Sequence, residues 1–599
     1  MASFRDKANF IWSIADLLRG NYKQAEYGKV ILPLTVLRRL DLVLEPTKKK
    51  VLEAYAKHKS KKPEVLEPIL NRAAKASFHN RSRFDFDALA KDHNNIAANL
   101  RNYINGYSHS ARDIIKNFSF NDQIKKLDEN DLLYLVIKRF AEAGDMLRKV
   151  DSTEMGYIFE ELIRKFAELS NETAGEHFTP REVIKLMVNL LFVEDKSLLR
   201  KEGIVKTLYD PACGTGGMLS VAEHYLRELN EDARLEVFGQ EINDESYAIC
   251  KSDMLIKTQN PERIILGDTF CKDGFPGHTF DYMLANPPFG VDWKKSEKCV
   301  KSEYETLGWS GRFGAGYPSI SDGAMLFLQN MISKMKQVGE GSRLGIVFNG
   351  SPLFSGGAGS GPSNIRRWII ENDMLEAIVA MPDQLFYNTG IATYIWIVTN
   401  RKDKHRKGKV QLINATGQKD EDEQRENRFW KKMPRSLGNK RKEIHEAAIK
   451  LVTELYHEFE EGPFCKIYPS DFFAYRRITV ERPLMENGKV VKDGKGNPKP
   501  DTSLRDYENV PLLREVNGKL VPQTVEEYFE REVKPHVPDA WIDTRKRDLI
   551  DEEVGIKGYE INFTRYFYEY KPLRSLAEIR KEILDLERAV EGSLTQVLS

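Results

Sequence analysis

Leu208-Tyr209-Asp210-Pro211-Ala212-Cys213-Gly214-Thr215-Gly216-Gly217-Met218 is the stretch that decides the fold. It follows a short apolar run at 205–209 and precedes an amphipathic segment, so it reads as a turn from a strand into a helix. Glycines here let a ligand approach the backbone at a helix N-terminus, where free N–H groups point outward. The loop lacks the Gly-Lys-Ser/Thr ending of a phosphate-binding loop, so an ATPase reading loses its lysine and its magnesium-holding hydroxyl. Taken alone, a plain strand-to-helix turn accounts for it as well.

Working outward, apolar runs at 205–209, 235–239, 263–266, 282–285, 344–348, 375–380 and 394–398 read as strands, with helical patterns between most of them. That alternation predicts a parallel, doubly wound α/β sheet. The second strand ends in Phe238-Gly239-Gln240-Glu241-Ile242, where a carboxylate can accept both ribose hydroxyls of an adenosine-containing ligand. The third ends in Leu266-Gly267-Asp268-Thr269, where a carboxylate can accept a hydrogen from an adenine amino group. Each acid taken singly also suits a helix N-cap; three successive strand ends with matched chemistry point to one site.

The fourth strand ends in Asp281-Tyr282-Met283-Leu284-Ala285-Asn286-Pro287-Pro288-Phe289-Gly290. Two prolines end the strand and restrict both themselves and their predecessors, which holds the acceptors rigid. The Asn286 side-chain oxygen and the Pro287 carbonyl can receive hydrogens from one planar amino group, and Phe289 offers a stacking face.

These residues carry a resemblance. Asp210 to Gly217 and Asn286 to Phe289 are similar to the cofactor loop and catalytic tetrad of amino-methylating methyltransferases. Ala174-Gly175-Glu176-His177-Phe178-Thr179-Pro180-Arg181 resembles the additional cofactor motif of adenine-N6 DNA enzymes. With Asp322 to Gln329, Ser363 to Trp368 and Tyr475 to Pro483, the likeness covers most of the chain and points to the modification subunit of type I restriction-modification systems; residues 485–520 match it least. The implied fold is a Rossmann-like S-adenosylmethionine-dependent methyltransferase sheet with an all-helical N-terminal domain and a helical C-terminal tail. The resemblance implies that His177, Phe178 and Thr179 line the methionine end of S-adenosylmethionine, and that Asp210, Gly214 and Gly216 hold its amino-acid portion. It assigns Glu241 to the ribose, Asp268 with Thr269 to the adenine, and Asn286, Pro287, Pro288 and Phe289 to the target base, with no metal. The implied partners are double-stranded DNA, a specificity subunit, a restriction subunit and a second modification subunit.

Apolar residues recur at helical spacing through Ile11, Ile14, Leu17 and Leu18, then Val30, Leu34, Leu37 and Leu40, then Leu132, Leu135, Ile137 and Phe140. We therefore expect a helical domain over 1–165, a catalytic domain over 166–484, and a linker with a C-terminal helical region for subunit assembly over 485–599. Lysines around 48–62 read as a solvated, loop-like face or a DNA contact, Arg401 to Lys407 as a solvated turn or a phosphate contact, and the glycines of 354–361 as a flexible loop or one that touches the DNA backbone or closes over the base. Leu576, Ile579, Ile583, Leu586, Val590, Leu594 and Val597 step by three or four and lay one stripe along a helix. That stripe either docks on the specificity subunit or packs on its own domain.

Hydrophobic residues are 41% of 599, enough for two or three packed cores. Lys and Arg number 91 against 90 Asp and Glu, so no global field draws the chain to a polyanion, and DNA specificity is expected to come from elsewhere. Cys213, Cys250, Cys271, Cys299 and Cys465 have neither zinc nor disulfide-framework spacing, which fits a reducing cytoplasm. No signal-type or membrane-spanning run appears. Three alternatives stay open: a stand-alone DNA adenine methyltransferase, a protein-glutamine or RNA methyltransferase with the same Asn-Pro-Pro-Phe chemistry, and a non-catalytic assembly subunit.

Overall fold

The computed structural model describes residues 4–150, 154–155, 158–159, 161–162, 165, 179–257, 259–387, 389–417, 427–568 and 575–598. Two compact units divide the chain, Met1–Ile561 and Asn562–Ser599. Among the described residues no helix is long and apolar enough to cross a membrane.

The described residues up to Leu147 form helices joined by turns. Leu34, Leu37 and Leu40 of helix Gly28–Leu44 share a core with Phe86, Tyr103, Ile137 and Phe140, as a 3.6-residue period requires. The same core takes in Ala248, Ile249 and Leu255 of helix Asp244–Ile256, and the Ser77 hydroxyl donates to the Leu255 carbonyl at 2.9 Å. The helical part is thereby seated on helix Asp244–Ile256. Lys48–His58 is a helix rather than a loop, because Val51, Ala54 and Tyr55 supply an inward stripe. Lys48 does not face water fully: its ammonium donates to the Phe84 carbonyl, and burial lowers its pKa to about 8.

A nine-stranded sheet forms the centre of the molecule. Its strands are β1 (Val205–Asp210), β2 (Arg234–Glu241), β3 (Ile264–Leu266), β4 (Tyr282–Ala285), β5 (Arg343–Phe348), β6 (Leu375–Ala380), β7 (Tyr394–Thr399), β8 (Lys409–Asn414) and β9 (Cys465–Pro469). Their order is β9-β8-β6-β7-β5-β4-β1-β2-β3. Strands β3, β2, β1, β4 and β5 run parallel, whereas β7 is antiparallel to both β5 and β6. The sheet is therefore mixed and not wholly parallel. No described helix lies between β6 and β7, so the chain has no crossover with which to return in the parallel sense.

Arg401 to Lys407 is not simply a solvated turn. Arg406 is fully buried and meets Glu194, the Tyr456 carbonyl and Gln411; Arg401 pairs with Asp195, and Lys402 with Asp373. These cations neutralise the buried Asp195, the largely buried Glu194 and the half-buried Asp373, which the local run of charge does not reveal.

Beyond β9 the chain forms a second, antiparallel sheet. Ala474–Glu481 pairs with Asp506–Pro511, Trp541–Ile542 and Ile556–Tyr559. A boundary at 484 thus runs through a sheet, and most of 485–559 is strand and turn instead of linker and helix. Asn487-Gly488 and Asn517-Gly518 adopt positive φ (49° and 74°, 51° and 75°), which closes two exposed hairpins. The small sheet covers the glycine loop: a Cβ on Gly359 would lie 3.1 Å from Ile556 and one on Gly558 2.8 Å from Ala358. The glycines of 354–361 serve close packing, and the Arg366 guanidinium ties the Gly356 and Tyr559 carbonyls together. In the second unit, Leu576–Leu598 is one helix.

Candidate active site

The sheet order sets the site, because β3, β2, β1 and β4 are consecutive neighbours and their C-terminal ends line one edge. The strand order reverses between β1 and β4, where a crevice opens and ligands bind in folds of this type. A cavity of about 460 Å³ occupies that place, lined by Thr179, Asp210, Gly214, Glu241, Asp268, Thr269, Asn286 and Pro288 among others.

Asp210 ends β1, almost fully buried, and accepts from the Ala212 N–H at 3.0 Å. Burial pushes its carboxyl up to about 8, with the Glu241 charge adding to the rise and the Ala212 bond opposing it. Glu241 ends β2 and accepts three backbone N–H groups, from Gly214 at 2.7 Å, Ile242 at 2.9 Å and Asn243 at 2.8 Å. Gly214 adopts φ 54°. Asp268 accepts from the Phe270 N–H and from the Ser296 hydroxyl at 2.6 Å.

Among the described residues the buried Asn286 Oδ1 atom has no hydrogen-bond partner. An unpaired amide oxygen out of water costs about 1–3 kcal/mol, so an acceptor left open at a cavity wall is poised for a donor that arrives with a ligand. Pro287 is buried. Phe289 packs edge-on against Phe386, with centroids 5.5 Å apart and planes at 80°.

Three expected residues stand apart from the cavity wall. Gly216 caps helix Gly217–Leu229 at φ 84°, and a Cβ there would lie 2.8 Å from the Cys250 sulfur, so its role is conformational. Phe289 and Pro287 flank the wall without lining it. Thr269 lines the cavity, yet its hydroxyl donates to the Pro211 carbonyl at 2.7 Å. His177 and Phe178 lie outside the described residues.

The wall also contains residues not anticipated: Phe270, Trp293, Lys295 and Ser296. They come from the segment after β3 and from the long insertion after β4, whose small core joins Phe270, Trp293, Val300, Phe313 and Leu326. A disulfide links Cys271 to Cys299 across these two segments, with Cα atoms 5.2 Å apart. Their separation of 28 residues carries no framework pattern; the pairing follows from the insertion folding back over the end of β3.

A sheet with an antiparallel seventh strand, cavity-lining acids at the ends of successive strands and an Asn-Pro-Pro-Phe turn after the fourth defines a methyltransferase of the Rossmann-like, S-adenosylmethionine-dependent class. Residues 150–466 match the N-6 DNA Methylase family model and residues 7–140 match the HsdM N-terminal domain. The chain belongs to the N-6 DNA methylase family, as a modification subunit of the type I restriction-modification kind and an adenine-specific DNA methyltransferase.

The chain is similar to proteins of that kind. The Type I restriction enzyme MjaIX methylase subunit of Methanocaldococcus jannaschii is 26% identical over 504 residues, 81% of this chain and 83% of its own length. The MjaVII methylase subunit of the same organism is 28% identical over 53% of this chain and 52% of its own. A crystal structure of the type I restriction-modification system methyltransferase subunit from Streptococcus thermophilus has a TM-score of 0.60 at 22% identity, covering 79% of this chain and 97% of that one.

Proposed function

We propose that the chain transfers a methyl group from S-adenosylmethionine to the N6 amino group of an adenine rotated out of double-stranded DNA. It does so within a cytoplasmic complex that contains a specificity subunit, a second modification subunit and, for cleavage, a restriction subunit. The observation that carries this reading is the buried Asn286 Oδ1, without a partner among the described residues, in a cavity also lined by Asp210, Glu241 and Asp268.

The residues present suit the cofactor. Asp210 suits an ammonium, Glu241 a pair of hydroxyls, and Asp268 an exocyclic amine, while Gly214, at positive φ, gives its N–H to Glu241 and leaves the cavity wall there free of a side chain. When bound, the cofactor supplies a methyl group already activated on a sulfonium sulfur. Asn286 Oδ1 and the Pro287 carbonyl accept both hydrogens of the adenine amino group and favour its pyramidal, nucleophilic form. Asn286 orients and does not act as a base; a carboxamide oxygen is too weakly basic to keep the proton, which passes to water. Phe289 stacks on the extruded base and returns about 1–3 kcal/mol of the unstacking cost.

Asn286→Ala tests the reading. Methyl incorporation into duplex DNA is expected to fall by at least about 100-fold, while S-adenosylhomocysteine binding changes by less than about threefold. Undiminished methylation by the variant contradicts it.

A further inference from the structure

Four consecutive residues after β3 are each tied to the insertion that follows β4. Ser296 Oγ donates to Asp268, Arg312 Nη1 donates to the Thr269 carbonyl at 2.7 Å, Arg312 Nη2 donates to the Phe270 carbonyl at 2.8 Å, and Cys299 is joined to Cys271. Asp268, Thr269 and Phe270 are cavity wall; Arg312 is not.

Arg312 has no donor to spare for a ligand. Nη1 also meets Asn330 Oδ1 at 3.1 Å, Nη2 meets Glu303 Oε2 at 2.6 Å, and Nε lies 3.1 and 3.2 Å from the two Glu303 oxygens. Glu303 in turn accepts the Arg312 backbone N–H at 2.7 Å. Both side chains are largely buried, at 12% and 16% exposure. A planar fork that grips a carboxylate on one edge and two successive carbonyls on the other fixes two peptide planes at once. Lysine, with one nitrogen, cannot reproduce this.

We propose that Arg312, braced by Glu303, is a positioning residue for the adenine end of the cofactor pocket. It holds the 268–270 wall so that the Asp268 carboxylate and the Phe270 ring present themselves correctly, and it touches neither cofactor nor DNA. The inference rests on the cofactor reading of the cavity given above.

The full chain carrying Arg312→Lys, Arg312→Met or Glu303→Gln is titrated with S-adenosylhomocysteine and, separately, with adenosine. Reductant is present throughout so that the Cys271–Cys299 link does not mask the loss of the clasp. Circular dichroism at the titration temperature establishes that each variant is folded. Both arginine variants are expected to weaken both ligands by the same factor of about ten, and Glu303→Gln by about threefold. KM for S-adenosylmethionine is expected to rise in step, with kcat at saturation within about threefold of wild type. Folded Arg312→Lys that binds both ligands as wild type does overturns the proposal, as does a loss confined to kcat. If Arg312→Met does not fold, the lysine and glutamine variants decide. Wild-type protein that binds neither ligand overturns the cofactor reading instead.

Discussion

The backbone N–H of Gly214 donates to the Glu241 carboxylate at 2.7 Å, which ties the loop after β1 to the tip of β2 although 27 residues separate them. Glu241 thereby shapes the loop and also charges its surroundings, since its carboxylate helps to hold the proton on Asp210. Two of the three acids that face the cofactor in our reading are thus electrically linked.

A pH dependence follows from that link. Burial pushes the Asp210 carboxyl up to about 8, so below this pH the free protein holds a proton there that an incoming ammonium must expel. Affinity for S-adenosylhomocysteine, which keeps the ammonium, is expected to fall by up to about tenfold for each pH unit below 8 and to level off above it. Calorimetry from about pH 6 to about pH 9 reads this directly. Asp210→Asn is expected to bind weakly with no such slope, and Glu241→Gln to move the break to lower pH. A flat wild-type profile is incompatible with an ammonium at Asp210.

Phe289 separates base binding from cofactor binding. It flanks the cavity without lining it and is backed by Phe386, so Phe289→Ala is expected to leave S-adenosylhomocysteine affinity within about twofold. kcat/KM for DNA is expected to drop by about 10- to 100-fold, the loss of one stacking contact, while Phe289→Tyr retains most of it. With 2-aminopurine at the target position, the alanine variant is expected to alter the fluorescence of the extruded base. Equal kcat/KM for wild type and alanine removes stacking from the mechanism.

Four residues that line one cavity were legible for one physical reason. Asp210, Glu241, Asp268 and Asn286 each stand at or within two residues of the end of an apolar run, and adjacent parallel strands deliver such ends to one edge. What lay hidden depends on contacts distant in sequence. The local sequence of the insertion after β4 does not say what it packs on, so Trp293, Ser296 and Arg312 gain their meaning only against residues 268–271. The direction of β7 is a matter of pairing, and Arg406 reads as surface charge until Glu194 and Glu376 are brought to it. The Asn487-Gly488 hairpin was within reach, because that dipeptide is itself a turn signal.

The buried ionic cluster beside β5 and β6 predicts acid sensitivity. Burial raises the Glu376 carboxyl, but the Arg343 and Arg406 guanidiniums outweigh it and the net direction is downward. Glu376 also accepts from Arg343 Nε at 3.0 Å and from the Tyr456 hydroxyl at 2.6 Å. A carboxyl depressed by folding stabilises the protein above its unfolded pKa, and that contribution is lost as pH falls through the lower, folded value. Glu376→Gln is expected to cost about 3–5 kcal/mol near neutral pH by leaving Arg343 and Arg406 short of a counter-charge, and to flatten the acid limb of the stability profile. Urea melts across pH test both; an unchanged melt at neutral pH removes the cluster from the stability account.

The helix Leu576–Leu598 carries a prediction about assembly. Leu576, Ile583 and Leu586 repeat at helical spacing and are 86%, 52% and 66% exposed, although an apolar stripe on a helix of this length normally finds a partner surface. An amphipathic helix gains most of its stability from such packing, so in the complex proposed above the stripe is expected to pack on helices of the specificity subunit. Ile583→Asp combined with Leu586→Asp is expected to abolish co-purification with that subunit. S-adenosylhomocysteine affinity and the main thermal transition, which report on Met1–Ile561, are expected to stay the same. Deletion of residues 575–599 is expected to match the double variant, and assembly that survives the deletion assigns the docking surface elsewhere.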